Sequence, residues 1–163
     1  MIKHIVELLI PQATAEDFYD FMINPTDERY SKWWPEEHIK FHIIKHGDSS
    51  HHGDLVYFDE KVGENHRLTF RAIVAKANRP NIISWEMISL GIRLPAIVEL
   101  KLTNASEGLM LRHELRLGYN GIGKPLDYLI GLYFNKSFKN ALEAHCNIEW
   151  YKLRDMLGQE AAK

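Results

Sequence analysis

The residues with most chemistry to offer are histidines, of which the 163-residue chain has nine. His113 stands at the centre of "GLMLRHELRLGY" (108–119), in step with Leu109, Leu111, Leu115 and Leu117 on one strand face. His145 stands at the centre of a helical stripe, Phe134, Phe138, Ala141, His145 and Ile148, whose spacing keeps to one face. Burial lowers an imidazole's tendency to take a proton, and a neutral ring donates at one nitrogen and accepts at the other. Two such rings facing one interior suit the anchoring of a guest or the transfer of a proton. Each also has a plain reading as a core side chain hydrogen-bonded to backbone, water or a neighbour such as Glu149, one turn beyond His145.

Other constellations carry less. His38, His42 and His46 recur every fourth residue, which on a helix would clip a metal ion. The alternation of Ile39, Phe41 and Ile43 says strand instead, where that spacing separates side chains by about 13 Å. "HHGD" contains the His52-x-Asp54 fragment of a facial iron triad, but reads as a polar, glycine-containing turn. Cys146 follows His145 in sequence and points about 100° away on a helix, so the two make no local nucleophile and base. There is no Gly-x-Ser-x-Gly elbow, and "GIGKPL" lacks the remainder of a phosphate loop. Serine-hydrolase and nucleotide-enzyme readings fall with these motifs, and neither a metal nor another cofactor is expected.

The elements that must position the two rings follow from periodicity. An opening strand, about 2–10, ends at Pro11; Thr14 with Asp17 resembles a capping pair ahead of a short helix that stops before Asn24-Pro25. "DERYSKWW" reads as a second short helix stopped by Pro35. Six alternating stretches follow, roughly 38–46, 54–61, 66–77, 81–89, 96–103 and 109–119, separated by turn formers such as "VGEN" and "NRPN". Ala96, Val98, Leu100 and Leu102 share a face; the opposite faces of the last two strands carry Glu99, Lys101, Arg112, Glu114 and Arg116, a solvated side where Glu99 could pair with Arg112. The stretch 124–157 reads as one helix of roughly 50 Å, with Pro125 in its first turn and Gly158 past its end. An antiparallel sheet with one apolar face and a long amphipathic helix hide both surfaces by folding the sheet around the helix, which turns His113 and His145 into one interior. Trp33, Trp34, Phe41, Phe58, Phe70, Trp85, Tyr119, Phe134 and Phe138 can supply walls. Adjacent helical residues cannot both face one direction, so one of Trp33 and Trp34 is expected at an opening.

Bulk properties narrow the partners. Twenty basic against 22 acidic residues give a net charge of −2, which offers no field for phosphate backbones, so nucleic acid is not expected. No apolar run reaches the roughly 18 residues of a membrane span. The single cysteine excludes an internal disulfide and fits a reducing cytoplasm. The length suits one domain, 1–163, without linkers or repeats.

The order strand, two short helices, six strands and long C-terminal helix resembles the START-like helix-grip superfamily, also called SRPBCC, which includes polyketide cyclase/dehydrase-like proteins. The likeness covers almost the whole chain and rests on "IPQATAEDFYDFM", "YSKWWP", "RPNIISWEM" and "FNKSFKNALEAHCNIEWYKL", the last similar to the helix end of uncharacterised bacterial members. It implies an α+β fold in which a curved seven-stranded antiparallel sheet grips the C-terminal helix over a hydrophobic cavity. It implies no single activity, since such proteins bind lipids, plant hormones or polyketides, assist chaperones, or catalyse cyclisation and dehydration.

The leading expectation is a binder of a hydrophobic or amphipathic small molecule. Trp33, Trp34, Phe58, Phe70, Trp85, Leu100, Leu111, Phe134 and Phe138 would form its walls, and His113 and His145 its polar anchors. An acid–base enzyme of cyclase or dehydratase type, with His113 and His145 as the catalytic candidates, and a chaperone-associated interaction module are the alternatives. Pairing of two copies as a homodimer stays open. Cavity volume separates the readings: a solid interior favours the module, a void of roughly a few hundred cubic ångströms the other two.

Overall fold

A computed structural model describes residues 2–64, 66–119, 124, 127–128 and 135–162. Seven strands, β1 (Ile2–Pro11), β2 (His38–Lys45), β3 (Leu55–Val62), β4 (His66–Asn78), β5 (Ile82–Ser89), β6 (Ile92–Ala105) and β7 (Gly108–Leu117), form one antiparallel sheet. Its order is β1-β7-β6-β5-β4-β3-β2: a meander in which the first strand returns to pair with the last. Helices α1 (Ala15–Ile23) and α2 (Asp27–Trp33) fill the crossover from β1 to β2, and α3 (Lys136–Ala161) packs on the concave side. This is the expected helix-grip. No described helix is long and apolar enough to cross a membrane.

The elements form where local chemistry asks for them. Thr14 and Thr26 cap α1 and α2, each hydroxyl accepting from the backbone N–H three residues on. Asn135 caps α3 by accepting from the N–H of Phe138. That cap corrects the expected start at 124: the helix begins at Lys136 and measures about 39 Å at 1.5 Å per residue. Gly158 lies inside the helix rather than beyond it. Strand β6 starts four residues earlier than its alternation suggests, because Leu90 and Gly91 both take positive φ (50° and 78°) and close a two-residue hairpin with Ser89 opposite Ile92.

The inner face is the apolar one. Ile83, Leu100, Leu102, Leu109, Leu111, Phe138 and Leu153 are almost wholly buried between sheet and α3. The helix buries Phe138, Leu142, His145, Cys146, Glu149, Trp150, Leu153 and Met156, a stripe wide enough to hold two adjacent positions at 145–146 and 149–150. Ile148, expected in that stripe, is instead 47% exposed.

On the outer face the expected pair of Glu99 with Arg112 does not form. The register sets Glu99 opposite Glu114 and Lys101 opposite Arg112. Glu99 pairs with Lys76, Lys101 and Arg116, and Glu114 with Lys3, Arg112 and Arg116. Both carboxylates are buried rather than solvated, each with three basic side chains around it. Further along, Arg67 grips Asp59 through two hydrogen bonds of 2.8 Å and holds its carboxyl below the usual aspartate range.

Leu153→Ala should cost about 2–5 kcal/mol in urea denaturation, since the residue is wholly enclosed. Because the Asp59 carboxyl is depressed in the fold, its stabilisation is present above the unfolded value of about 3.9 and lost as pH falls through the folded one. Arg67→Ala should therefore lower the melting temperature at neutral pH and stop doing so in strong acid.

Candidate functional site

Between the sheet and α3 lies a cavity of about 80 Å³, smaller than the few hundred cubic ångströms anticipated. Its walls are mostly apolar, with Phe58, Phe70, Trp85, Met87 and Leu100 on the sheet and Leu142 and Trp150 on the helix. Of the residues expected to form it, Trp33, Phe58, Phe70, Trp85, Leu100, His113 and His145 line it. Leu111 and Phe138 are buried but do not reach it, and Phe134 lies outside the described residues. Trp34 is also set back, and neither tryptophan stands at an opening: Trp33 is 4% and Trp34 8% exposed. Trp34 follows the last residue of α2 with extended φ (−148°), so the helical 100° divergence between neighbours does not apply. A wider groove between α1 and the end of α3 opens to solvent and is crossed by Glu160 with Arg29 and Lys32.

The polar groups of the cavity converge on Glu149. Its carboxylate Oε2 is 3.3 Å from Nε2 of His145, one turn earlier on α3, and 3.7 Å from Nε2 of His38 on β2. All three are buried, at 6%, 5% and 1% exposure. The rings are oriented by aromatic faces: Trp34 stacks on His145 at 4.6 Å between centroids, and Tyr30 lies parallel on His38 at 4.2 Å. Trp33 donates its indole N–H to the backbone carbonyl of Glu149 at 2.6 Å, which pins this turn of α3 to α2. Tyr30 donates its hydroxyl to Glu60 on β3 at 2.5 Å, bringing a second carboxyl to the cavity wall.

On the far side, His113 Nδ1 lies 3.0 Å from the Cys146 thiol. The two groups set apart in sequence are thus paired across the sheet–helix interface. Burial, reinforced by Glu149, pushes the thiol well above its ordinary value, so it stays protonated and is a hydrogen-bond donor rather than a nucleophile.

Burial and charge act oppositely on these groups. Burial would raise the Glu149 carboxyl, but the two histidines beside it hold it well below the usual range. Burial would lower His145, but the Glu149 carboxylate raises it. For His113 burial wins and the ring is driven toward neutrality. Glu60 is raised by burial.

Three of the participants were not among the sequence candidates. Glu60 alternates with Val56, Phe58 and Val62, so its inward parity was readable. His38 was not, because a bulge between His38 and Lys40 turns it to the same side as Phe41. Tyr30 depends on the docking of α2 over β2. The remaining histidines of the spaced series separate as anticipated: His42 contacts Asp27 at 2.7 Å, and His46 joins His51 around Asp54 in the 46–54 loop. That loop is otherwise a polar turn organised by Asp48, which accepts from Ser50 and His52.

No family model and no curated protein matches the sequence. Solved structures do. The KanY protein, determined by NMR, is 11% identical with a TM-score of 0.63, covering 96% of this chain and 97% of its own. A Staphylococcus aureus protein of unknown function is 9% identical at 0.62, covering 99% and 96%. The major latex-like protein 151 of Panax ginseng is 14% identical at 0.56, covering 88% and 96%. At such identities the likeness shows the fold alone.

Glu149→Gln should remove about 3–5 kcal/mol near pH 6, the cost of leaving buried charge unpaired. The depressed Glu149 carboxyl stabilises the fold above its unfolded value of about 4.3 and loses that effect in acid. The raised His145 stabilises it fully below about 6.5 and loses that effect as pH climbs through the folded value. The difference in stability between wild type and Glu149→Gln, followed by denaturation across pH, should accordingly peak between those limits and shrink on both sides.

Proposed function

We propose that the chain binds a hydrophobic or amphipathic small molecule between sheet and C-terminal helix. Its apolar part would lie against Phe58, Phe70, Trp85 and Leu100, and its polar end would face His113 and His145. The observation that carries this reading is the cavity itself: mostly apolar walls with a few polar groups gathered in one region, the composition of small-molecule sites in general. A solid interior would have favoured a plain interaction module.

The volume limits the guest. At about 80 Å³ the space is well under the roughly 300–1,000 Å³ of sites for drug-sized ligands. A guest is either only a few heavy atoms in size at its buried end, or it displaces wall residues. Met22 and Met87 are the wall's adaptable members, unbranched thioethers that change rotamer at small cost. The ginseng protein is named only as latex-like, so the ligand class rests on the cavity's chemistry.

Titration with fatty acids of graded chain length and with aromatic polyketide-like compounds tests the proposal. Trp33, Trp85 and Trp150 line the cavity and should report a guest as a change in emission. A bound compound at 100 times its Kd should add about 2.7 kcal/mol of stability and raise the melting temperature. Val98→Phe, which fills space beside Leu100, should abolish both signals while the protein stays folded. Unchanged emission and melting with every compound sinks the reading.

A further inference from the structure

The contacts of Glu149 with its two histidines have lengths that ask for more than an ion pair. Charge-assisted N–H···O bonds settle at about 2.7–2.9 Å, and the contacts here are 3.3 and 3.7 Å. Neither His38 Nε2 nor His145 Nε2 has a hydrogen-bond partner, and neither has either ring's Nδ1. Two buried Nε2 atoms without a partner are costly unless something occupies them. Ligand atoms held at roughly 2.0–2.1 Å from a tetrahedral ion stand roughly 3.3–3.4 Å from one another, a spacing that the His145 contact matches and the His38 contact slightly exceeds. One ligand atom from each of His38, His145 and Glu149 lies within 4.8 Å of the other two, so small side-chain shifts bring all three onto one ion.

We propose that His38, His145 and Glu149 bind one divalent transition-metal ion of the zinc class, its remaining coordination position directed to the cavity that His145 and Glu149 line. The donor set, two imidazole nitrogens and one carboxylate oxygen, is that of metal sites which keep a position for a small molecule. Metal at the two Nε2 atoms sends the ring protons to Nδ1 and fixes both tautomers. The rings are already held by Tyr30 and Trp34, so little side-chain freedom remains to be lost. The His145–Glu149 ion pair described above then belongs to the metal-free chain. A second cluster around Glu149, formed with His113 and Cys146, shares that carboxylate. Its other two members, His113 Nδ1 and Cys146 Sγ, already contact each other at 3.0 Å, so this pair braces the turn that carries the carboxylate rather than ligating. The inference rests on the cavity reading only for what the ion faces.

The test is uptake of Zn²⁺ by chelator-treated protein in calorimetry, and of Co²⁺ in absorption. One ion per chain is expected. Glu149→Gln, close in size to the original, and His38→Gln should each weaken uptake by at least about tenfold. His51→Ala, in the loop cluster of His46, His51 and Asp54, should leave uptake unchanged. No uptake, uptake indifferent to Glu149→Gln, or uptake lost in His51→Ala overturns the proposal. Should the core variants fail to fold, two wild-type measurements decide. A Zn²⁺-induced rise in melting temperature that persists in His51→Ala supports the site, and an intense thiolate-to-cobalt band, placing Cys146 among the ligands, overturns it. Guest binding by metal-free protein that takes up no metal removes this inference and leaves the cavity reading. Metal uptake with no guest under any condition does the reverse.

Discussion

A carboxylate taken out of water is the constraint on which the centre of this molecule turns. Glu149 sits on the inward stripe of α3, where a bare charge would cost several kcal/mol. Two imidazoles offset that cost, and each has to be brought there by a different element. His145 arrives by helical spacing alone. His38 arrives because β2 bulges at its first residues and because α2 lays Tyr30 over the ring. The indole of Trp33 ties the same helical turn to α2. The placement of α2, the irregular start of β2 and the rotation of α3 about its axis are thus answers to one electrostatic demand.

The sheet meets the opposite problem on its two faces. Outside, Glu99 and Glu114 stand directly across from each other and are quenched by Lys3, Lys76, Arg112 and Arg116. Inside, the same strands present leucines and one histidine, His113, whose ring burial drives toward neutrality although Glu149 opposes it. His113 and His145 therefore share an interior but shift in opposite directions, His113 toward the neutral ring by burial and His145 toward the charged one by Glu149, one helical turn away.

Much of this was legible in the residue pattern, and the losses have physical causes. Alternation located all seven strands, and the Thr14 cap and the Pro35 stop located α1 and α2, because each signal is local. The inward parity of His113 and the helical position of His145 were local as well. What failed depended on interruptions of period: the bulge that carries His38 inward, the chain leaving α2 at Trp34, and the Leu90-Gly91 hairpin, where leucine takes a conformation usually left to asparagine or glycine. Cys146 was set aside because it points about 100° from His145 on the helix, whereas both adjacent positions are enclosed and the thiol's partner is His113 on β7. The carboxylate register at Glu99 could not be read from two strands separately, since only their pairing decides which residue stands opposite which.

His38 and Glu149 are separated by 111 positions along the chain and meet only where the second strand faces the closing helix. No stretch of the chain that lacks either β2 or α3 can contain the assembled histidine–carboxylate cluster. Closing so long a loop adds an entropic penalty that grows slowly with its length and is met when α3 docks. The cluster is consequently a long-range assembly: until α3 has been made and has closed over the second strand, these side chains are strangers, and whatever they recognise can be held only after that closure.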